Sequence, residues 1–184
     1  MAWPDHLLAL AEWEALPEDT AHRYELVEGV LLVAPRPAPM HQRALVRMTT
    51  ELDRQLPDDL TALADVEVLI DGGFPPTVRA PDVVVVPTAH AEQNPTRLLA
   101  ADVLLAVEII SPGTNRTDRV TKLAEYAEAG IKHYWLVDLD PPISLTAYLL
   151  VEGSYELELD TAGVVDISSP ALLRLDLDAL LSRR

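Results

Sequence analysis

The chain has no cysteine, one phenylalanine, and only seven glycines against fifteen prolines in 184 residues. Without thiols there is no disulfide framework, no cysteine-ligated zinc, no iron–sulfur cluster and no thiol nucleophile. No apolar run approaches the roughly 20 residues that span a bilayer, and the start, Met1-Ala2-Trp3-Pro4-Asp5, lacks the basic region that opens a secretory signal. The expectation is a cytoplasmic protein that does not engage a membrane. Other absences narrow the chemistry. There is no Gly-x-Ser-x-Gly elbow, and serine first occurs at Ser111. Neither glycine-rich phosphate loop is present, and the five histidines never fall in a His-Glu-x-x-His spacing.

Basic residues are also scarce: 14 Lys and Arg stand against 30 Asp and Glu, for a net charge of −16. Such a balance opposes nucleic acid, whose binding rests on phosphate neutralisation. The excess is uneven. Residues 1–35 and 138–184 each carry −6, while the 102 residues between them carry −4. An anion site therefore belongs in the middle of the chain, and the acidic ends read as solvated surface.

What is present is globular, with 49% apolar and 24% charged residues. The length suits one domain, residues 1–184, burying about 70% of its unfolded surface. Prolines predict fixed turns rather than loose linkers. A helical stub is expected over Glu12–Leu16, then two strands within Tyr24–Val33 about a Glu28-Gly29 turn. Leu45, Met48, Leu52 and Leu56 form one stripe of a helix from Met40 to Leu56. Three short apolar runs follow, Val66–Ile70, Val83–Val86 and Val103–Ile110, and each reads as a strand. Ser111–Asn115 interrupts. A second helix spans Arg116–Ala129 and closes on Gly130, His133–Val137 is a strand, and Ile143–Leu150 with Tyr155–Leu159 form a hairpin before a weak segment at Leu172–Leu181. The class is mixed α/β.

Two acids stand where globular chains seldom put them. Asp82 directly precedes four valines, and Glu108 interrupts the run Val103–Ile110. A carboxylate in such a run is neutral, paired or metal-bound, because uncompensated burial costs several kcal/mol. The bland alternative is a strand-end acid facing solvent. Asp118, Lys122 and Tyr126 share one face of the second helix, either as a surface ion pair or leaning over the Glu108 strand.

Several stretches together resemble the Uma2 (DUF820) family: Tyr24-Glu25-Leu26-Val27-Glu28-Gly29, a Pro-rich segment before His41-Gln42-Arg43, Pro81-Asp82-Val83, and Val107-Glu108-Ile109-Ile110-Ser111-Pro112. Asp118…Lys122…Tyr126…Gly130 and Tyr134-Trp135-Leu136-Val137-Asp138 complete the likeness, which runs from about Tyr24 to Asp138. That family is placed among the PD-(D/E)XK nucleases related to restriction endonucleases. The resemblance implies a restriction-endonuclease-like core over about residues 24–138, with a central mixed sheet flanked by helices, β-hairpins at both ends and a C-terminal β extension over 143–184. It implies Asp82 and Glu108 as the two acids of the nuclease signature. The signature lysine is missing, since Ile110 stands in its place. Similar families draw the lysine from the following helix, which points to Lys122.

Two carboxylates and the Ile109 backbone carbonyl would offer Mg²⁺, or Mn²⁺ in its stead, hard oxygen ligands. Lys122 would orient the attacking water or steady the phosphate oxygens. Glu28 is a possible further ligand or a solvated turn acid. His41 and Gln42 face the cleft or lie on the surface at a helix N-terminus. The implied activity is metal-dependent hydrolysis of DNA phosphodiester bonds, with weak, salt-sensitive DNA binding. A non-catalytic scaffold or nucleic-acid-binding relative is the alternative, and an unrelated metal-dependent hydrolase a lesser one. A homodimer would suit cleavage of both strands, with Trp3 and Trp13 as apolar surface for it.

Overall fold

The apolar stripe of the first long helix sets the layering. The computed structural model describes residues 4–17, 22–35, 37–110 and 117–182. Its helices are α1 (Leu10–Glu14), α2 (Pro39–Gln55), α3 (Thr88–Ala91) and α4 (Leu123–Glu128). Strands β3 (Leu60–Ala64), β6 (Val83–Pro87), β8 (Leu105–Ile110), β9 (His133–Asp138), β10 (Ser144–Val151) and β11 (Ser154–Ala162) form one sheet. Its order is β11-β10-β9-β8-β6-β3. Here β3, β6 and β8 make an antiparallel meander, and β9 joins β8 in parallel after the α4 crossover. A second sheet, ordered β2-β1-β5-β4-β7, contains β1 (His22–Val27), β2 (Val30–Pro35), β4 (Val68–Asp71), β5 (Thr77–Arg79) and β7 (Leu98–Leu99). A ribbon of β12 (Val164–Ile167) and β13 (Leu173–Asp176) follows.

Alternation divides the core cleanly. Val83, Val85, Val107 and Ile109 face α2 and the β12–β13 ribbon, with Leu45, Met48 and Leu52 packed against them. Val84, Val86, Ala106 and Ile110 face the opposite way, towards Tyr126 of α4 and towards Val68 and Leu98 of the second sheet. Both faces of β6 and β8 are covered, which is why their sequences are continuously apolar. The mixed α/β architecture, with a mixed sheet between helices and hairpins at both ends, is the one the sequence predicts.

The details differ in four places. The first meander strand is Leu60–Ala64, not the expected run beginning at Val66. After Asp65, whose φ of +53° turns the chain, that run supplies β4 of the other sheet. The stub helix starts two residues early, at Leu10, because the Glu12 carboxylate accepts from the Ala9 N–H at 2.9 Å, and it ends well before Pro17. Thr117–Lys122 is a π-helical turn rather than α-helix, and Gly130, at φ +80°, closes the element as expected. Trp13 is buried against Leu8, Leu26 and Val78 and offers no dimer surface. Trp3, Arg116 and the Ser111–Asn115 interruption lie outside the described residues. Among the described residues, no helix is long and apolar enough to cross a membrane.

Candidate active site

The end of the β6–β8 pair gathers the buried charges of the chain. Val83 pairs with Val107 in antiparallel register, so Asp82 and Glu108, one step further on, are cross-strand neighbours. Such neighbours stand about 5 Å apart at Cβ. Asp82 is 1% exposed and Glu108 3%. Neither faces solvent.

Asp82 is ringed by donors. Its Oδ2 accepts from the Ile109 N–H at 2.7 Å and lies 3.2 Å from His41 Nε2, and its Oδ1 accepts from Arg23 Nη1 at 3.0 Å. Burial works against ionisation, but the His41 hydrogen bond and the Arg23 charge outweigh it and hold the carboxyl below its usual range. His41 is in turn held protonated more strongly than an ordinary histidine: burial opposes this, and Asp82 overrides it. The same Nε2 lies 2.9 Å from the Ile109 carbonyl oxygen.

Glu108 is approached from the α4 side. Lys122 Nζ lies 2.8 Å from its Oε1, and the Tyr126 hydroxyl donates to the same oxygen at 2.9 Å. Burial pushes the Glu108 carboxyl up to about 8; Lys122 pulls down, while Asp82, Asp118 and Glu25 push the same way as burial. Lys122 is only 5% exposed. Burial would discharge it, but Glu108, Glu25 and Asp118 hold it charged, above the ordinary lysine range. Its contact with Asp118, 3.4 Å across the π turn, is thus no surface pair. The Tyr134 hydroxyl pins that turn by donating to the Asp118 carbonyl at 2.8 Å. π-Helical turns are rare, and this one carries Lys122 to Glu108.

The second sheet adds residues that sequence reasoning did not single out. Glu25 on β1 lies 3.5 Å from Lys122 Nζ. Arg79 on β5, 1% exposed, donates to Glu25 at 2.9 Å and through both Nε and Nη2 to Glu125 of α4 at 2.7 Å. Its burial in an uncharged stretch between Pro76 and Pro81 was the available signal, the same one that exposes Glu108. Arg23 also bonds the Ala80 carbonyl and pairs with Asp65 at 3.2 Å.

Of the residues named from sequence, Asp82, Glu108, Ile109, Lys122, Asp118, Tyr126 and His41 come together. Gln42 points outward from α2 and is exposed. Glu28 stays out as well: it is exposed in the turn at φ +47°, with its N–H donating to Thr77 Oγ1, five residues along β1 from Arg23. That is about 16 Å in an extended strand. Among the described residues, no three His, Asp or Glu side chains are grouped round a common ion position. Yet the cluster is short of positive charge. Six carboxyl groups (Asp82, Glu108, Glu25, Asp118, Glu125, Asp65) meet four basic side chains, His41, Arg23, Arg79 and Lys122, and a proton on Glu108 makes up part of the shortfall.

No functionally curated protein matches the chain. The crystal structure of a putative nuclease belonging to DUF820 from Anabaena variabilis matches it with a TM-score of 0.74 and 21% identity, over 95% of this chain and 97% of that one. The two share a fold. Residues 10–181 match the Uma2 family, described as "putative restriction endonuclease", and the chain belongs to that family.

Proposed function

We propose that the chain is a divalent-metal-dependent endonuclease that hydrolyses DNA phosphodiester bonds. One observation carries the reading: Asp82 Oδ2 and the Ile109 carbonyl converge on a single nitrogen, His41 Nε2, at 3.2 and 2.9 Å, beside Glu108 on the neighbouring strand. Oxygens that already share one nitrogen partner, in a cluster with more carboxyl groups than basic side chains, suit a divalent ion. Asp82, Glu108 and the Ile109 carbonyl would hold it. With two carboxylates rather than three, the choice falls on Mg²⁺ or Mn²⁺, which keep several waters. When bound, the ion lowers the pKa of a coordinated water and neutralises charge at the scissile phosphate.

The remaining work belongs to side chains. Lys122, kept charged by its three acids, orients the attacking water and steadies the crowded phosphate oxygens as a compact ammonium. Asp118 and Tyr126 fix Lys122 and Glu108. His41, in the first turn of α2, adds positive charge where an anion approaches. The scaffold alternative draws on Ile110, in the place of the signature lysine, and on the cationic partners that Asp82 and Glu108 already have. An assay on plasmid and single-stranded DNA across Mg²⁺ and Mn²⁺ separates the two. Cleavage that Glu108→Ala abolishes is expected, with a Mn²⁺-dependent rise in melting temperature that Asp82→Asn removes. No cleavage, and an equal thermal shift in both proteins, would leave a scaffold.

A further inference from the structure

A cavity of about 560 Å³ opens beside the candidate active site, lined by Trp13, His22, Arg23, Tyr24, Asp65 and Arg97 among others. That volume lies within the roughly 300–1,000 Å³ of small-molecule sites. Arg23 joins cavity to site, because the side chain that lines the cavity also donates to Asp82 Oδ1 at 3.0 Å. Part of the lining is aromatic: His22 and Tyr24 both border the cavity, and their rings lie 24° from parallel with centroids 6.3 Å apart. Another part alternates donors and acceptors. Asp65 pairs with Arg23 at 3.2 Å, Glu67 pairs with Arg97 at 3.3 Å, and Glu14 also meets Arg97. Two arginines against three acids leave this wall near neutral in a chain of net charge −16.

We propose that the cavity receives a single unstacked nucleobase of the strand whose phosphate enters the site formed by Asp82, Glu108 and Lys122. The substrate class is then single-stranded or locally unpaired DNA rather than intact duplex. This rests on the nuclease reading for the phosphate, whereas base binding itself needs no cleavage. An aromatic face accepts any base by stacking. Carboxylate and guanidinium groups match the amino and acceptor edges that a base exposes only once it has left its pair. A strongly acidic chain gains little from phosphate neutralisation, so stacking must carry more of its affinity.

The test is equilibrium binding of the full chain, in EDTA, to a short single-stranded DNA, to a hairpin duplex of the same sequence, and to a set of strands each lacking one base. The single strand should bind about tenfold or more tightly than the duplex, and one abasic position should lose about tenfold. Tyr24→Ala should erase that positional sensitivity and Tyr24→Phe should keep it. Equal affinity for the duplex, no measurable single-strand binding, indifference to every abasic position, or sensitivity that survives Tyr24→Ala would each overturn the proposal. Cleavage in Mn²⁺ is read in parallel. Cleavage without abasic sensitivity sinks the cavity and spares the nuclease; abasic sensitivity without cleavage does the reverse.

Discussion

On the β6 side of the site, Asp82 meets Arg23, His41 and the Ile109 N–H, and its carboxyl is held below its usual range. On the β8 side, Glu108 meets Lys122 and the Tyr126 hydroxyl, yet shares its surroundings with Asp82, Asp118 and Glu25, and its carboxyl rises to about 8. Two cross-strand acids are thus driven apart by what packs around them. Neighbouring carboxyls whose surroundings favour opposite protonation states recur at catalytic sites, where one acid donates a proton and the other stays charged. The excess of acid falls on the Glu108 half, where a proton supplies part of the charge that a cation would bring.

The largest expected effect treats the halves alike. Glu108→Gln and Asp82→Asn should each lower plasmid cleavage by ~10²-fold or more, and Lys122→Ala by a similar factor. A variant of either acid cutting at the parent rate would remove that acid from the site. Stability, read by urea denaturation at pH 7, should separate them. Asp82→Asn leaves Arg23 and His41 short of their buried partner and should cost about 3 kcal/mol. Glu108→Gln resembles the protonated carboxyl already present and should cost under about 1 kcal/mol. Lys122→Ala strands buried acids and belongs with Asp82→Asn, at about 3–5 kcal/mol. Its cleavage must therefore be measured well below its melting point. Equal losses in the two acid variants would break the contrast.

The pH dependence sharpens it further. Glu108 titrates near 8 in the folded chain against 4.5 ordinarily, so its contribution is full below 4.5 and is lost as pH rises through 8. Asp82 runs the other way: its contribution is present above 3.8 and lost as pH falls through the lower folded value. Urea midpoints from pH 3 to 9 should therefore show Glu108→Gln flattening the alkaline decline and Asp82→Asn flattening the acid one. A single flank altered by both variants would mean that the acids titrate as one unit.

Sequence periodicity revealed α2, β6, β8, β9 and the β10–β11 hairpin, because each has a long repeat or a continuous apolar run. It did not reveal β3, β5 or β7. Leu60–Ala64 contains one β-branched residue, and β5 and β7 are three and two residues long. Their pairing comes from neighbouring strands rather than from propensity. The same limit governs the site. Asp82 and Glu108 are visible as charges amid valine, leucine and isoleucine, and Lys122 as a helix residue facing them. Glu25 and Arg23 alternate with apolar residues along β1 as solvent-facing positions would, and only the second sheet folding over α4 buries them. Glu28, by contrast, stands beside a glycine and reads as special on local grounds alone.

The smallest expected effect decides between those two glutamates. If the second sheet supports Lys122 through Glu25, then Glu25→Gln should slow cleavage, because Lys122 loses one of three acids and Arg79 one of two. Glu28→Gly should leave the rate unchanged. The substitution relieves a side chain held at φ +47°, worth about 1 kcal/mol, but the added freedom of the unfolded chain takes back much of that gain. Its melting temperature should therefore stay within a few degrees of the parent's. Cleavage lost in Glu28→Gly with stability intact would bring the turn into the site and put the β1 acid at position 28. Cleavage lost only in Glu25→Gln assigns the support of Lys122 to the strand, where burial opposes ionisation of that carboxyl but Lys122 and Arg79 outweigh it and hold it below its usual range.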